Sequence, residues 1–185
     1  MVTKEKAKQI LVVPRLKSDL KKYQYIMDRV RKVDVSEDTE FQNIYRDFYQ
    51  MRRFYSDEFA RKYFRLMEQI KGMSGVTFKM TFERVKHIQC TYETSFSSKM
   101  AHTFNPQIPI WDSVVTTRHF GFKAPTGVKD REQKTIDRFN EYSEKFYKYM
   151  KSSEGQMLIE MFDKAFLGNG ISDVKKIDFI LWQDR

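Results

Sequence analysis

The chain has one cysteine, Cys90, among 185 residues. A lone thiol excludes an internal disulfide framework and a cysteine-built zinc site, and it fits a reducing cytoplasm. Glycine and proline are also scarce, at 7 and 4, so turns should be few and helices long. No apolar run approaches the ~20 residues of a membrane span. The one short run, Ile10-Leu11-Val12-Val13, is cut by Pro14 and lacks a signal-peptide cleavage pattern. The expectation is a soluble, cytoplasmic protein with no membrane partner. A Gly-rich nucleotide loop, a Gly-x-Ser-x-Gly element and a paired-carboxylate metal motif are all missing, which leaves kinase, hydrolase and polymerase readings without support. His87 and His119 have no partners at metal-ligand spacing, so neither a metal nor a cofactor is expected.

What the chain does have is positive charge and aromatic rings. The formal net charge is +9 and the pI about 9.5, which suits an anionic partner. Residues 1–32 carry Lys4, Lys6, Lys8, Arg15, Lys17, Lys21, Lys22, Arg29, Arg31 and Lys32 against Glu5, Asp19 and Asp28. This stretch reads as a phosphate-contacting face or as a solvated basic face. The pairs Arg52-Arg53 and Arg61-Lys62 carry the same two readings. The 16 Phe and 10 Tyr can fill a core or stack on bases, and the ten Met scatter through the apolar stripes as packing.

Apolar spacing is mostly 3.6, not 2. Leu16, Leu20, Tyr23, Ile26, Met27 and Val30 make one stripe. An acidic start at Ser36–Glu40 precedes Phe41, Ile44, Tyr45, Phe48 and Met51. Ser56 is a cap for Phe59, Tyr63, Leu66, Met67 and Ile70, with Gly72 and Gly75 as stops. Thr81 begins a short helix, and another runs from about 96 to 104 after a tight connection at 91–95. Asp112 occupies an N-cap position for a helix ending at Gly121. Helices follow from about Asp130, from Ser153 and from Ser172. One compact all-α domain over 1–185 accounts for the pattern. Within it, residues 1–75 would form a basic helical region, residues 81–121 the hairpin and groove, and residues 130–185 the C-terminal helices.

The stretch with the most chemistry is Ser95–Val115. Two short helices, 81–90 and 96–104, have the dimensions of a helix-hairpin-helix, whose second helix can present backbone N–H groups to a phosphate. Ser95, Ser97 and Ser98 are small enough to let one approach. The segment Ser95-Phe-Ser-Ser-Lys-Met-Ala101 resembles the Gly-Val-Gly-Thr-Lys-Val-Ala hairpin of the helix-hairpin-helix DNA glycosylases, in their 8-oxoguanine branch. Pro109-Ile-Trp-Asp112-Ser-Val-Val resembles that superfamily's Pro-Val-Asp-x-x-Val segment. Serines stand at both glycine positions, and Trp111 is extra.

The resemblance, which covers about 81–121, implies a DNA-binding base-excision glycosylase/lyase. Lys99 would be the Schiff-base amine, made less basic by burial or a nearby cation. Asp112 would be the carboxylate that steadies an oxocarbenium-like charge on the sugar of a flipped nucleotide. Trp111 would stack on an everted base or fill a core, and His102 would face the same groove as Lys99 or be a hydrogen-bonded structural residue. Glu93 would cap the second hairpin helix or bias Lys99. Two other readings stay open: a non-catalytic nucleic-acid-binding module on the same scaffold, and an all-α adaptor that binds protein through its aromatic faces.

Overall fold

A computed structural model describes residues 2–51, 56–89, 92–127 and 129–184. Arg52, Arg53, Cys90 and Thr91 lie outside the described residues. The fold is all-α: nine α-helices and one π-helical turn, with no strand among the described residues. The helices are α1 Lys4–Leu11, α2 Pro14–Arg29, α3 Thr39–Phe48, α4 Asp57–Lys71, α5 Phe78–Gln89 and α6 Thr94–Phe104. The π-helical turn is Val115–His119, followed by α7 Arg131–Met150, α8 Ser153–Ala165 and α9 Asp173–Gln183. None is long and apolar enough to cross a membrane.

The chain divides into two compact units, residues 17–105 and residues 1–16 with 106–185. The divisions fall inside α2 and just after α6.

Cap chemistry sets most of the helix starts. Asp38 accepts the Phe41 N–H at 2.8 Å, and Ser56, Ser152 and Ser172 each accept an N–H three residues on, at 3.2 Å. The helix expected at Thr81 begins earlier, at Phe78. Thr77 Oγ1 accepts the Met80 N–H at 3.3 Å, while Thr81 sits inside the helix and donates to the Phe78 carbonyl at 2.9 Å. The segment α1, not anticipated by the periodicity, is started by Thr3 and buries Ala7, Ile10 and Leu11.

The 17–105 unit is built on aromatic side chains. On α4 the stripe Phe59, Tyr63, Phe64, Leu66, Met67 and Ile70 is buried. Phe41, Tyr45 and Phe64 meet edge-on or tilted at 5.6–6.3 Å, and Phe96 meets Phe59 and Tyr63 at 6.2 and 5.9 Å. Each fully buried ring contributes roughly 2–3 kcal/mol. The most extensive helix pairing is α5 with α6.

In the other unit α7 is the spine. Ile136, Phe139, Tyr142, Phe146 and Tyr149 lie on its buried face. The sharp reversal from α7 to α8 depends on Gly155. A Cβ there would stand 2.2 Å from the Tyr149 carbonyl oxygen and 2.7 Å from that of Met150. Ala is the better helix former by about 1 kcal/mol, but the obstructing atoms are backbone and cannot rotate away. Gly155→Ala is therefore expected to destabilise the protein by ~1–3 kcal/mol in urea melts; an unchanged or raised midpoint would show that the reversal tolerates a side chain.

Candidate functional site

Helix α6 carries the expected lysine and almost no exposed surface. Every residue from Thr94 to Phe104 is buried except Ser95, which is half-buried. That is unusual for a helix containing two further serines, two threonines, a lysine and a histidine. Most of these groups find partners close by. Ser97 Oγ donates to the Glu93 carbonyl at 2.7 Å, Ser98 Oγ to the Ser95 carbonyl at 2.8 Å, and Thr103 Oγ1 to the Lys99 carbonyl at 2.8 Å. From α5, Thr81 Oγ1 donates to the Ser97 carbonyl at 2.9 Å. Tyr63 OH donates to the Phe96 carbonyl at 2.9 Å and lies 3.0 Å from Tyr45 OH. Burial pushes the Tyr45 phenol well above its ordinary pKa, so it stays a neutral hydroxyl.

Lys99 is 7% exposed. Its Nζ donates to Ser95 Oγ at 2.9 Å, one helical turn back, and lies 4.5 Å above the Phe96 ring and 5.6 Å from that of Tyr49. His102 is fully buried, with Nε2 2.8 Å from Tyr23 OH and the two rings 5.7 Å apart. Of the two readings of His102, the hydrogen-bonded structural residue describes its position. Ser97 and Ser98, expected to be small enough to let a phosphate approach, are buried. The serine hydroxyls bond to backbone within the helix, and the histidine sits among aromatic core. Glu93 occupies the N-cap position of α6, yet its side chain makes no capping hydrogen bond.

Asp112 and Trp111 belong to the other unit. Trp111 is core: its ring lies 5.4 Å from Tyr142, 6.3 Å from Phe122 and 6.4 Å from Phe139, and it is 5% exposed. Of its two readings, the packed one describes its position. Asp112 is half-buried and acts as a cap. Its Oδ1 accepts the Val114 N–H at 2.9 Å, and its carbonyl accepts the Thr116 N–H at 2.8 Å. The helix it starts is short and widens into the π-helical turn Val115–His119. It closes where the Phe122 N–H reaches the Thr116 carbonyl across Gly121, at φ +72°.

Sequence reasoning missed a third cluster, around Tyr142. Its hydroxyl donates to the Ile110 carbonyl at 2.9 Å. Burial raises its pKa well above the usual value, with the negative charges of Asp178 and Asp112 adding to the effect. On α9, Lys175 Nζ and Asp178 Oδ2 form a buried ion pair at 2.6 Å, while Asp178 Oδ1 is buried with no hydrogen-bond partner. The sequence signal was available: Lys175 and Asp178 stand three apart in Val174–Leu181, whose other residues are apolar apart from Lys176. No group of three or more metal-ligating side chains occurs among the described residues.

Two consequences are measurable. Asp178→Asn removes the carboxylate paired with the buried Lys175 ammonium, with an expected loss of ~3–5 kcal/mol, and Lys175→Met combined with Asp178→Leu is expected to recover most of it. A single-variant loss below ~1 kcal/mol would mean that the pair is solvated in solution. The second concerns His119, whose Nε2–H donates to the Leu181 carbonyl at 3.0 Å. Burial holds its pKa below the ordinary value, partly offset by that carbonyl and by Asp184. The folded state therefore resists protonation of this ring, while the unfolded chain protonates near pH ~6.5. Stability is complete above that pH and falls as acid is added. His119→Gln should show a smaller drop in urea midpoint between pH 7.5 and 5.5; equal drops would remove the histidine from the account.

Comparison of the chain with family models, curated proteins and solved structures finds no match to any of the three.

Proposed function

We propose that the protein binds DNA and acts as a base-excision glycosylase/lyase, with Lys99 as the amine nucleophile. The observation that supports this is the placement of Lys99. Lysine is almost never fully buried unless paired. Here the amine is nine-tenths buried, with a hydroxyl and two aromatic faces among its contacts. A desolvated setting of that kind is where amine nucleophiles operate. The likeness of Ser95–Ala101 to the glycosylase hairpin adds the substrate class, and the likeness of 109–115 adds Asp112 as the carboxylate.

In this reading Lys99 Nζ, as the free amine, attacks C1′ of a flipped nucleotide. The C1′–N bond breaks, its electron pair leaves with the base, and the base takes up a proton. Ring opening then gives an imine between Nζ and C1′. Loss of a 2′ proton allows the 3′ C–O bond to break with the phosphate as leaving group. Ser95, hydrogen-bonded to Nζ, positions the amine. The role of Asp112, to steady positive charge on the sugar, comes from the resemblance alone; its own position is that of a cap.

A second reading, a non-catalytic DNA-binding module, is favoured by one observation. Ser97, Ser98 and His102 are all buried with bonded side chains, which leaves the basic residues of α1 and α2 as the natural phosphate contacts.

The readings separate on duplexes carrying a modified base or an abasic site. Wild-type protein is expected to release the base or nick the strand. Lys99→Gln should abolish this while retaining salt-sensitive binding. Asp112→Asn should lower the rate at least ~10²-fold with affinity nearly kept. Salt-sensitive binding with no product on any such duplex would overturn the enzyme in favour of the module, and no binding at ~50 mM salt would overturn both.

A further inference from the structure

Among the described residues, three large apolar side chains are well exposed: Val12 at 79%, Val13 at 36% and Leu167 at 87%. Single exposed apolar residues need no explanation. Val12 and Val13 differ, because they are adjacent and occupy the turn between α1 and α2. Turns of this kind ordinarily use Gly, Asn, Asp or Ser, and Val12 there gains little burial, while Val13 is partly covered.

The turn is held tightly. The Val12 and Val13 N–H groups both reach the Ile10 carbonyl, Val13 at 3.1 Å, and the Leu16 N–H reaches the Val13 carbonyl at 3.0 Å. Pro14 opens α2 with its φ fixed. Two methyl-bearing side chains therefore project from a rigid corner.

The charge around this corner is ordered as well. Lys4, Lys8 and Val12 recur at four-residue spacing, so they lie along one side of α1, and all three are exposed. Glu5 is the only acidic residue of α1, and Lys6 is set apart by its ion pair with Asp184 at 3.9 Å.

We propose that the α1–α2 corner is a duplex-DNA contact in which Val12 and Val13 press against a base step while Lys4 and Lys8 hold neighbouring phosphates. The proposal rests on the DNA-binding reading above. It extends that reading to a contact well away in sequence from Lys99. Apolar side chains that wedge into a base step partly unstack it and bend the duplex, and flanking cations retain the backbone. Charge complementarity selects an anionic occupant. The small apolar area selects DNA over a lipid surface, because Ala7, Ile10 and Leu11 of α1 are buried in their own unit and two valines give little to insert into a bilayer.

The test uses the full chain, an undamaged duplex with 2-aminopurine at central steps, and vesicles of phosphatidylserine and phosphatidylcholine. Wild-type protein is expected to bind the duplex and raise the 2-aminopurine fluorescence. Val12→Ser with Val13→Ser should remove the rise and weaken binding about tenfold with the salt slope kept. Lys4→Gln with Lys8→Gln should reduce the slope of log K against log salt by about 1.8, at 0.9 per phosphate contact. All four side chains are exposed, so thermal melts of the variants should match wild type. Duplex binding that proceeds with unchanged fluorescence, or equally well in the valine variant, overturns the wedge and leaves the glycosylase reading standing. Valine-dependent binding to the vesicles with none to duplex overturns the wedge in favour of a membrane surface. Absence of binding to lesion-bearing duplexes too overturns the DNA reading itself.

Discussion

The 17–105 unit depends on keeping a polar helix in its interior. Helix α6 is buried along its length while carrying serines, threonines, a histidine and a lysine. Burying an unbonded hydroxyl or amide costs on the order of 1–3 kcal/mol, so such a helix survives only if its polar groups are satisfied. They are: hydroxyls turn back onto backbone carbonyls, Tyr23 meets His102, and Tyr63 reaches the Phe96 carbonyl. This arrangement fixes where the Lys99 amine sits, one turn from Ser95 and against the Phe96 and Tyr49 rings. The chemistry proposed for Lys99 is a consequence of that packing.

The other unit handles the same problem with less satisfaction. It buries a Lys175–Asp178 pair and leaves one oxygen of Asp178 without a hydrogen bond. The Tyr142 phenol feels the charges of both Asp178 and Asp112. It also places backbone so close to Gly155 that no side chain fits. Here aromatic packing around Trp111 and Tyr142 carries the stability, and Asp112 caps a segment that promptly widens into a π-helical turn. Such wide turns are rare and occur often at functional sites.

Much of this was legible in the sequence, for identifiable reasons. The helical class followed from 3.6 spacing, and caps such as Ser56 and Ser172 were readable because their residue types bond the N–H three residues on. The start of α5 was missed because Thr77 and Thr81 are equally good caps by type, and only the bonds made decide between them. The first helix was missed because its three buried residues are outnumbered by charge. The interior position of α6 was illegible for a deeper reason. A helix buried on all sides normally reads as apolar throughout, and Ser, Lys, His and Thr read as surface unless their partners are known. Ser97 and Ser98 were accordingly read as letting a phosphate approach, and His102 stayed open between a groove and a hydrogen-bonded structural place, of which it occupies the second. Trp111 was ambiguous, since a ring beside an aspartate serves a core or a stack equally well on paper.

Lys99 is the residue on which the proposed function rests. The most direct test is to reduce the protein with borohydride in the presence of an abasic duplex and map the crosslinked peptide by mass spectrometry. The account predicts a single covalent adduct on the Lys99 side chain. An adduct on exposed lysines such as Lys4 or Lys8, with Lys99 unmodified, would contradict it.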